Sequence, residues 1–226
     1  MRSLALSLPF FLGSSFAAPV DWSQYNDSVM LEIKRPAGHT QGNTICTGVI
    51  AAPETVLTTA HCVDGATEIR IVFDVEKGAS AKKTAVIKAG SWKAHPAYHR
   101  EKSLFDHDLA KIRLLKPAPI NPALIRKIPD SIRIPSGNKL VRIGVGLRNG
   151  INSRNFTDPK FLSIQNKLTL ETEDAFSASG DSGGPIYSSG LLLIGIHSTR
   201  DDRDHKEAER GYGPYLPAYK EWIFSK

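Results

Sequence analysis

The chain has 226 residues, of which 41% are apolar, so we expect one large domain with a sizeable core and exclude global disorder. The formal net charge is +6, but the lysines and arginines are scattered and form no basic block with interleaved aromatic residues. That distribution is typical of a soluble basic surface and argues against nucleic acid as a partner.

The N-terminus has the layout of a secretory signal. Arg2 is followed by an apolar run over 4–12, which is too short to span a bilayer, and then by small residues at 15–17. Such segments are removed on export. We predict a signal peptide over 1–17 and a secreted domain over 18–226, extracellular or periplasmic, with no membrane contact after cleavage. The alternative is an N-terminal anchor that stays in place.

The rest of the chain reads as strands. Eight segments alternate or run apolar at strand length, at residues 29–33, 47–52, 68–75, 84–90, 109–115, 139–147, 162–171 and 191–198. Helical periodicity is nearly absent except at 217–226, where Tyr219, Trp222 and Ile223 share one face. A Pro-rich stretch at 118–138 would link two halves. The pattern predicts an all-β protein of two sub-barrels.

The stretch SASGDSGGPIY (177–187) carries the first chemical signal. Ser182 lies between Asp181 and two glycines, and Gly180 precedes the acid. Glycine weakens a strand but lets the backbone pass close to a ligand. We therefore expect Ser182 to be a nucleophile, and the N–H groups of Gly180 and Ser182 to hold an oxyanion.

A serine nucleophile needs a base, and the base needs an anion that fixes its tautomer. His61 in VLTTAHCVD and Asp108 in FDHDLAKIRL are the residues that we expect to fill these roles. The two cysteines, Cys46 and Cys62, indicate one disulfide in an exported protein. Without further ligand spacing they do not indicate zinc, and we predict neither a metal nor another cofactor.

At these stretches the chain resembles the trypsin/chymotrypsin family of serine endopeptidases. CTGVI resembles the family's Cys-Gly-Gly strand, VLTTAHC its histidine motif and GDSGGP its serine motif. HPAYH, IGVG and YKEWI are similar to the stretch before its aspartate, to its Gly-Trp-Gly strand and to its C-terminal helix. The resemblance extends over about residues 28–225, and the motifs follow the family's order.

The resemblance implies two antiparallel six-stranded β-barrels, at about 25–120 and 135–215, with the site in the cleft between them and a C-terminal helix after the second barrel. It implies peptide-bond hydrolysis through an acyl-enzyme, with protein or peptide substrates and protein inhibitors as partners, and we expect a monomer. An inactive homologue that binds or regulates is the alternative. The α/β-hydrolase elbow also fits GDSGG, but too few residues follow the serine and no alternating helices precede it.

The resemblance also assigns the site residues. The family places its aspartate directly before an apolar strand, which favours Asp108 over Asp106. His61 and Asp108 would come from the first barrel and Ser182 from the second. The cysteine spacing is that of the family's histidine-loop disulfide.

The chain departs from the family at its mature N-terminus. In the family a new α-ammonium folds inward and pairs with the acid before the serine, which is Asp181 in this chain. The usual Ile-Val-Gly-Gly start is absent. We expect Ala18 or Val20 to supply the ammonium.

The specificity pocket allows two alignments. Counted without gaps, its base is Phe176, whereas a two-residue bulge would place Asp174 there and favour Lys or Arg substrates. His197 in the strand IGIHS resembles the histidine of bacterial glutamyl endopeptidases. The predicted substrate-binding residues are Phe176, Ser177, Ser179, His197 and Ser198. We expect an acidic or otherwise non-basic preference.

Overall fold

The computed structural model describes residues 20–73, 85–99, 107–148, 151–174, 176–201 and 210–225. The predicted signal peptide, Ala18 and Asp106 lie outside these residues. The secondary structure of the described residues is mostly strand, as the alternating segments predict. No helix in this part of the chain is long and apolar enough to cross a membrane.

The first half is a closed barrel of six antiparallel strands. The strands are β1 (Ser28–Lys34), β2 (Thr44–Ala52), β3 (Thr55–Thr58), β4 (Glu68–Phe73), β5 (Ala85–Ala94) and β6 (Ala110–Leu114). Their order around the barrel is β1-β2-β3-β6-β5-β4. Alternate side chains of a strand point to one face, so Val29, Leu31 and Ile33 enter the same core as Ile69 and Ile71.

The second half contains two four-stranded sheets and a small two-stranded one. Its strands are β7 (Val141–Gly144), β8 (Leu147–Arg148), β9 (Ile151–Asn152), β10 (Asn155–Thr157), β11 (Lys160–Gln165), β12 (Thr169–Glu173), β13 (Pro185–Tyr187), β14 (Leu193–Ile196), β15 (Thr199–Asp201) and β16 (Arg210–Pro214). The larger sheets have the orders β10-β7-β13-β14 and β11-β12-β16-β15.

Two isolated β-bridges, Lys139 with Lys160 and Gly195 with Tyr215, connect these two sheets. Through the bridges, β7, β13, β14, β16, β12 and β11 form a second ring of six strands. The predicted fold of two six-stranded barrels is therefore confirmed.

A shared apolar cluster, here called the junction cluster, holds the two halves together. Val49 and Leu109 from the first half pack in it with Ile143 and Tyr187 from the second, and with Ile223 from the C-terminal segment. Because both halves contribute to one core, packing fixes their relative position.

The predicted C-terminal helix is present but short. A 3₁₀ turn (Leu216–Tyr219) leads into α2 (Lys220–Phe224). The ammonium of Lys111 in β6 donates to the carbonyl oxygens of Trp222 and Ser225 at 2.9 and 2.8 Å. A cation at the carbonyl end of a helix is favourable, so this contact fastens the C-terminus to the first barrel.

The segment before β1 is fixed by buried polar contacts. Asp27 is fully buried, and its Oδ2 accepts a hydrogen bond of 2.9 Å from the hydroxyl of Tyr187 in β13. Arg154 donates to the Asn26 side chain at 3.0 Å and to the Ser28 carbonyl at 2.9 Å. Burial raises the pKa of Asp27 to about 6, although the hydrogen bond from Tyr187 opposes the rise.

We predict that Asp27 makes the folded state less stable as the pH rises. Between about pH 4 and pH 6 the folded chain keeps a proton that the unfolded chain has released, so the free energy of unfolding falls through this window. Asp27→Asn removes this effect. In urea titrations, the stability of the variant relative to wild type should increase by about 2–3 kcal/mol from pH 4 to pH 7.

The matched control is Asp158→Asn, which changes a carboxylate that is half exposed in an ion pair with Lys139. Its stability relative to wild type should change little over the same pH range. An equal pH dependence in both variants would contradict the assignment to Asp27.

Candidate active site

His61 and Asp108 are in direct contact. His61 lies in α1 (Ala60–Val63), a single helical turn after β3, and Asp108 is fully buried just before β6. Asp108 Oδ1 accepts the backbone N–H of His61 at 2.9 Å, and its Oδ2 lies 2.7 Å from His61 Nδ1. An ionised carboxylate only accepts, so Nδ1 carries the proton and Nε2 is left as an acceptor.

Ser198 joins this pair to Ser182. The hydroxyl of Ser198 donates to Asp108 Oδ2 at 2.5 Å. Its carbonyl oxygen accepts the Ser182 hydroxyl at 3.1 Å, and among the described residues the Ser182 hydroxyl makes no hydrogen bond to His61. Ser198 was predicted to bind substrate, whereas in the structure its side chain contacts the carboxylate of Asp108.

The helical turn of His61 is held from behind by Arg35, which the sequence analysis did not single out. The guanidinium of Arg35 donates to the carbonyl oxygens of Cys62 and Asp64 at 2.7 and 2.8 Å. The predicted disulfide between Cys46 and Cys62 is present, with Cα atoms 6.3 Å apart. Because the disulfide ties α1 to β2, the imidazole-bearing turn is fixed at two points.

The glycines around Ser182 are required by backbone conformation and by space. Gly180 and Gly183 have φ values of +100° and +87°, which favour glycine, and a Cβ on Gly183 would overlap the carbonyl oxygen of Thr47. The hydroxyl of Thr47 donates to the Gly180 carbonyl at 2.8 Å, and its N–H donates to the Ser182 carbonyl at 2.8 Å. Strand β2 of the first barrel thus holds the serine loop (177–184) of the second half.

Two N–H groups of this loop are available to a ligand. Among the described residues, neither the N–H of Gly180 nor that of Ser182 donates to a protein acceptor. The N–H between them, on Asp181, is used by a turn and donates to the Ala178 carbonyl at 2.9 Å. Paired, preorganised N–H groups are what a developing oxyanion needs.

Asp181 is fully buried and tightly bound. Its Oδ2 accepts from Arg142 at 3.1 Å, from Arg148 at 2.9 Å and from the N–H of Ala178 at 2.9 Å. Its Oδ1 accepts the N–H of Gly146 at 2.7 Å. Burial raises the pKa of Asp181, but the charge of Arg142 and the hydrogen bond from Arg148 outweigh it and hold the pKa at about 2.

An N-terminal ammonium was the expected partner of Asp181. Its cationic partners are the two arginines, whereas Val20 packs against the junction cluster. The prediction that Ala18 or Val20 supplies an ammonium to this carboxylate stays a prediction, because Val20 is joined to Pro19 in this chain and Ala18 lies outside the described residues.

The comparisons with known proteins address the family and the fold of the chain. The model of the Trypsin family matches residues 23–223. The chain belongs to the trypsin family. It is 26% identical over 210 residues to a chymotrypsin of Phaedon cochleariae, which covers 78% of this chain and 72% of that protein.

Two solved structures have the same fold as this trypsin-family chain. The structure of HL collagenase aligns with a TM-score of 0.69 at 20% identity and covers 89% of this chain and 93% of that chain. The scabies mite inactivated protease paralogue SMIPP-S-I1 aligns with a TM-score of 0.73 at 18% identity. The alignment covers 90% of this chain and 95% of that chain.

The two alignments place Phe176 or Asp174 at the base of the pocket, and these residues have different environments in this trypsin-family member. Phe176 is 71% exposed, so its side chain is not enclosed by the fold, and its assignment to the base stays a prediction. Asp174 is only 2% exposed, and its charge is already paired. Arg142 Nε lies 2.9 Å from Asp174 Oδ2, and Nη2 donates to Oδ1 at 3.1 Å. The buried imidazole of His197 has its Nδ1 4.0 Å from Asp174 Oδ2.

The other predicted substrate-binding residues lie on the serine loop. Ser177 is half-buried and Ser179 is exposed, next to Gly180. Arg142 and Thr47 were missed by the sequence analysis. The available signal for Arg142 was an arginine inside the apolar segment KLVRIGVGL. The signal for Thr47 was a threonine at the family's glycine position in CTGVI.

We predict that removing the disulfide destabilises the protein. The double variant Cys46→Ala/Cys62→Ala should lose about 3 kcal/mol of unfolding free energy. The disulfide joins residues 16 positions apart, and closing a loop of this size lowers the conformational entropy of the unfolded chain. Urea unfolding measures the loss. Intact mass should increase by the mass of two hydrogen atoms when the wild type is reduced, and two free thiols in the unreduced protein would contradict the assignment.

Proposed function

We propose that the chain is a secreted serine endopeptidase that hydrolyses peptide bonds through an acyl-enzyme. Ser182 is the nucleophile, His61 is the general base and then the general acid, and Asp108 orients the imidazole. The contact that carries the proposal is the 2.7 Å approach of Asp108 Oδ2 to His61 Nδ1, because it leaves Nε2 as the acceptor. The signal-like N-terminus supports secretion.

The proposed reaction uses the Ser182 hydroxyl, the His61 imidazole and the two N–H groups of the serine loop. Catalytic hydrogen bonds often tighten only in the substrate complex, so rotation of the Ser182 side chain would move Oγ from the Ser198 carbonyl to His61 Nε2. His61 takes the hydroxyl proton as Oγ attacks the scissile carbonyl. The N–H groups of Gly180 and Ser182 hold the oxyanion, and His61 returns the proton to the leaving amine. Water then hydrolyses the acyl-enzyme by the same route.

The fold alone does not carry this proposal, since a structural neighbour is itself called inactivated. The site carries it: the chain keeps the serine, histidine and aspartate, and two of them are in hydrogen-bond contact. These features argue against the alternative of a binding or regulatory homologue.

Ser182→Ala and His61→Ala should each lower kcat on a peptide substrate by a factor on the order of 10⁵–10⁶, because nucleophile and base act as a unit. Ser182→Ala should keep the wild-type unfolding midpoint within a small margin. Ser91→Ala, on an exposed position of β5, is the matched control and should keep full activity. More than a few per cent of activity in Ser182→Ala would show that the nucleophile is misassigned.

We also propose that the substrate pocket disfavours basic side chains. Asp174 is the acid that a Lys or Arg side chain would need, but the guanidinium of Arg142 already neutralises it. A substrate cation would therefore enter a desolvated site without a free counter-charge, which is unfavourable. The imidazole of His197 lies next to Asp174, and it favours an acidic or neutral side chain in the substrate.

Matched peptides with Glu, Leu, Phe or Arg before the scissile bond test the preference. We expect kcat/KM to be lowest for Arg. His197→Val should reduce kcat/KM for the Glu peptide more than for the Leu peptide, which serves as the internal control. A clear preference for Arg would show that Asp174 acts as a free pocket acid.

A further inference from the structure

The carboxylate next to the nucleophile has no room for another cation. Besides the two arginines and the N–H groups of Ala178 and Gly146, Asp181 accepts a hydrogen bond from Asn155 Nδ2 at 3.2 Å. Five donors thus surround two oxygens that together offer about four lone-pair sites. The carboxylate is buried, ionised and saturated by groups from within the fold.

The position of Arg142 is set by sheet pairing. It lies in β7 opposite Thr157 of β10 and Ile186 of β13, so hydrogen-bonded strands flank it on both sides. Its side chain is fully buried and contacts Asp174 as well as Asp181. A guanidinium placed in this way does not depend on where the chain begins.

The surrounding backbone is shaped to fit the carboxylate. A Cβ on Gly144 would overlap the side chain of Asp181, and one on Gly146 would lie 2.5 Å from its Oδ1. Both glycines belong to the IGVG stretch of β7 and its extension. The strand that supplies Arg142 therefore also leaves the space in which Asp181 lies.

A second contact fixes the same loop from the first barrel. The hydroxyl of Thr47 accepts the N–H of Val145 at 3.0 Å and donates to the carbonyl of Gly180 at 2.8 Å. It therefore orients the peptide group that follows one of the two oxyanion donors.

We infer that Arg142, assisted by Arg148, is the positioning residue that fixes the oxyanion-hole loop in place of an N-terminal α-ammonium, so that the site forms without release of a new N-terminus. The inference rests on the proposed peptidase function. It assigns to an internal side chain the role that the family's pattern gives to a processed terminus.

The first test changes the N-terminus and leaves the loop intact. The domain is produced with a free amino group at Val20 and, separately, with an uncleaved Gly-Ser extension before Val20. We expect kcat/KM on a Leu peptide to agree within about twofold, and the alkaline side of the pH profile to stay flat to about pH 10, since arginine does not deprotonate there. An α-amino group ordinarily loses its proton near pH 8.

The second test changes the arginine. Arg142→Met should lower kcat by a factor on the order of 10²–10³, the effect of losing an oxyanion-hole donor, with a smaller change in KM. Arg142→Lys should recover part of the loss. Arg154→Met is the matched control, because Arg154 is also buried but contacts Asn26 and Ser28 instead of the serine loop, and it should keep kcat. If Arg142→Met does not fold, Arg148→Met, which changes a partly exposed partner of Asp181, should still lower kcat.

The outcomes separate this inference from the proposed function. If the wild type has no activity, the proposed function fails. If the wild type is active but the extension lowers kcat/KM a hundredfold, or its activity falls near pH 8–9, the ammonium is required and the inference alone is wrong. Unchanged kcat in a folded Arg142→Met variant would also overturn it.

Discussion

The burial of one carboxylate constrains the whole serine side of the site. Removing an ionised Asp181 from water is costly unless charges and hydrogen bonds replace the solvent. That requirement accounts for an arginine in a central strand, for the glycines of IGVG, and for the turn that places Ser182. The same buried charge gives the serine loop its fixed shape.

The histidine side follows a different constraint, which is to hold one helical turn against a barrel. Asp108 contacts the imidazole, while Arg35 and the disulfide bind the backbone and the cysteine of the same turn. Thr47 then connects the two sides, because it bonds to the serine loop from strand β2. The junction cluster packs residues of both halves together, so the relative position of the two sides depends on an apolar core as well as on these polar contacts.

Strand alternation, which is a local signal, was sufficient to predict an all-β protein of two sub-barrels. The six strands of each barrel and the assignment of His61 and Asp108 rested on the motifs that resemble the trypsin family. Local pattern missed one turn between neighbouring strands, and it missed the contacts that join distant parts of the chain. The apolar segment 162–171 contains a hairpin, since Asn166 and Lys167 adopt positive φ between β11 and β12. The exposure of Phe176 and the pairing of Arg142 with Asp174 and Asp181 depend on strands brought together only in the fold.

Covalent labelling by a fluorophosphonate tests the central claim most directly, because phosphonylation needs an activated serine beside an organised oxyanion hole. The account predicts one adduct per folded chain, located by peptide mass mapping at Ser182 and absent after denaturation. A folded protein with no adduct, or with the adduct on another serine, would contradict it.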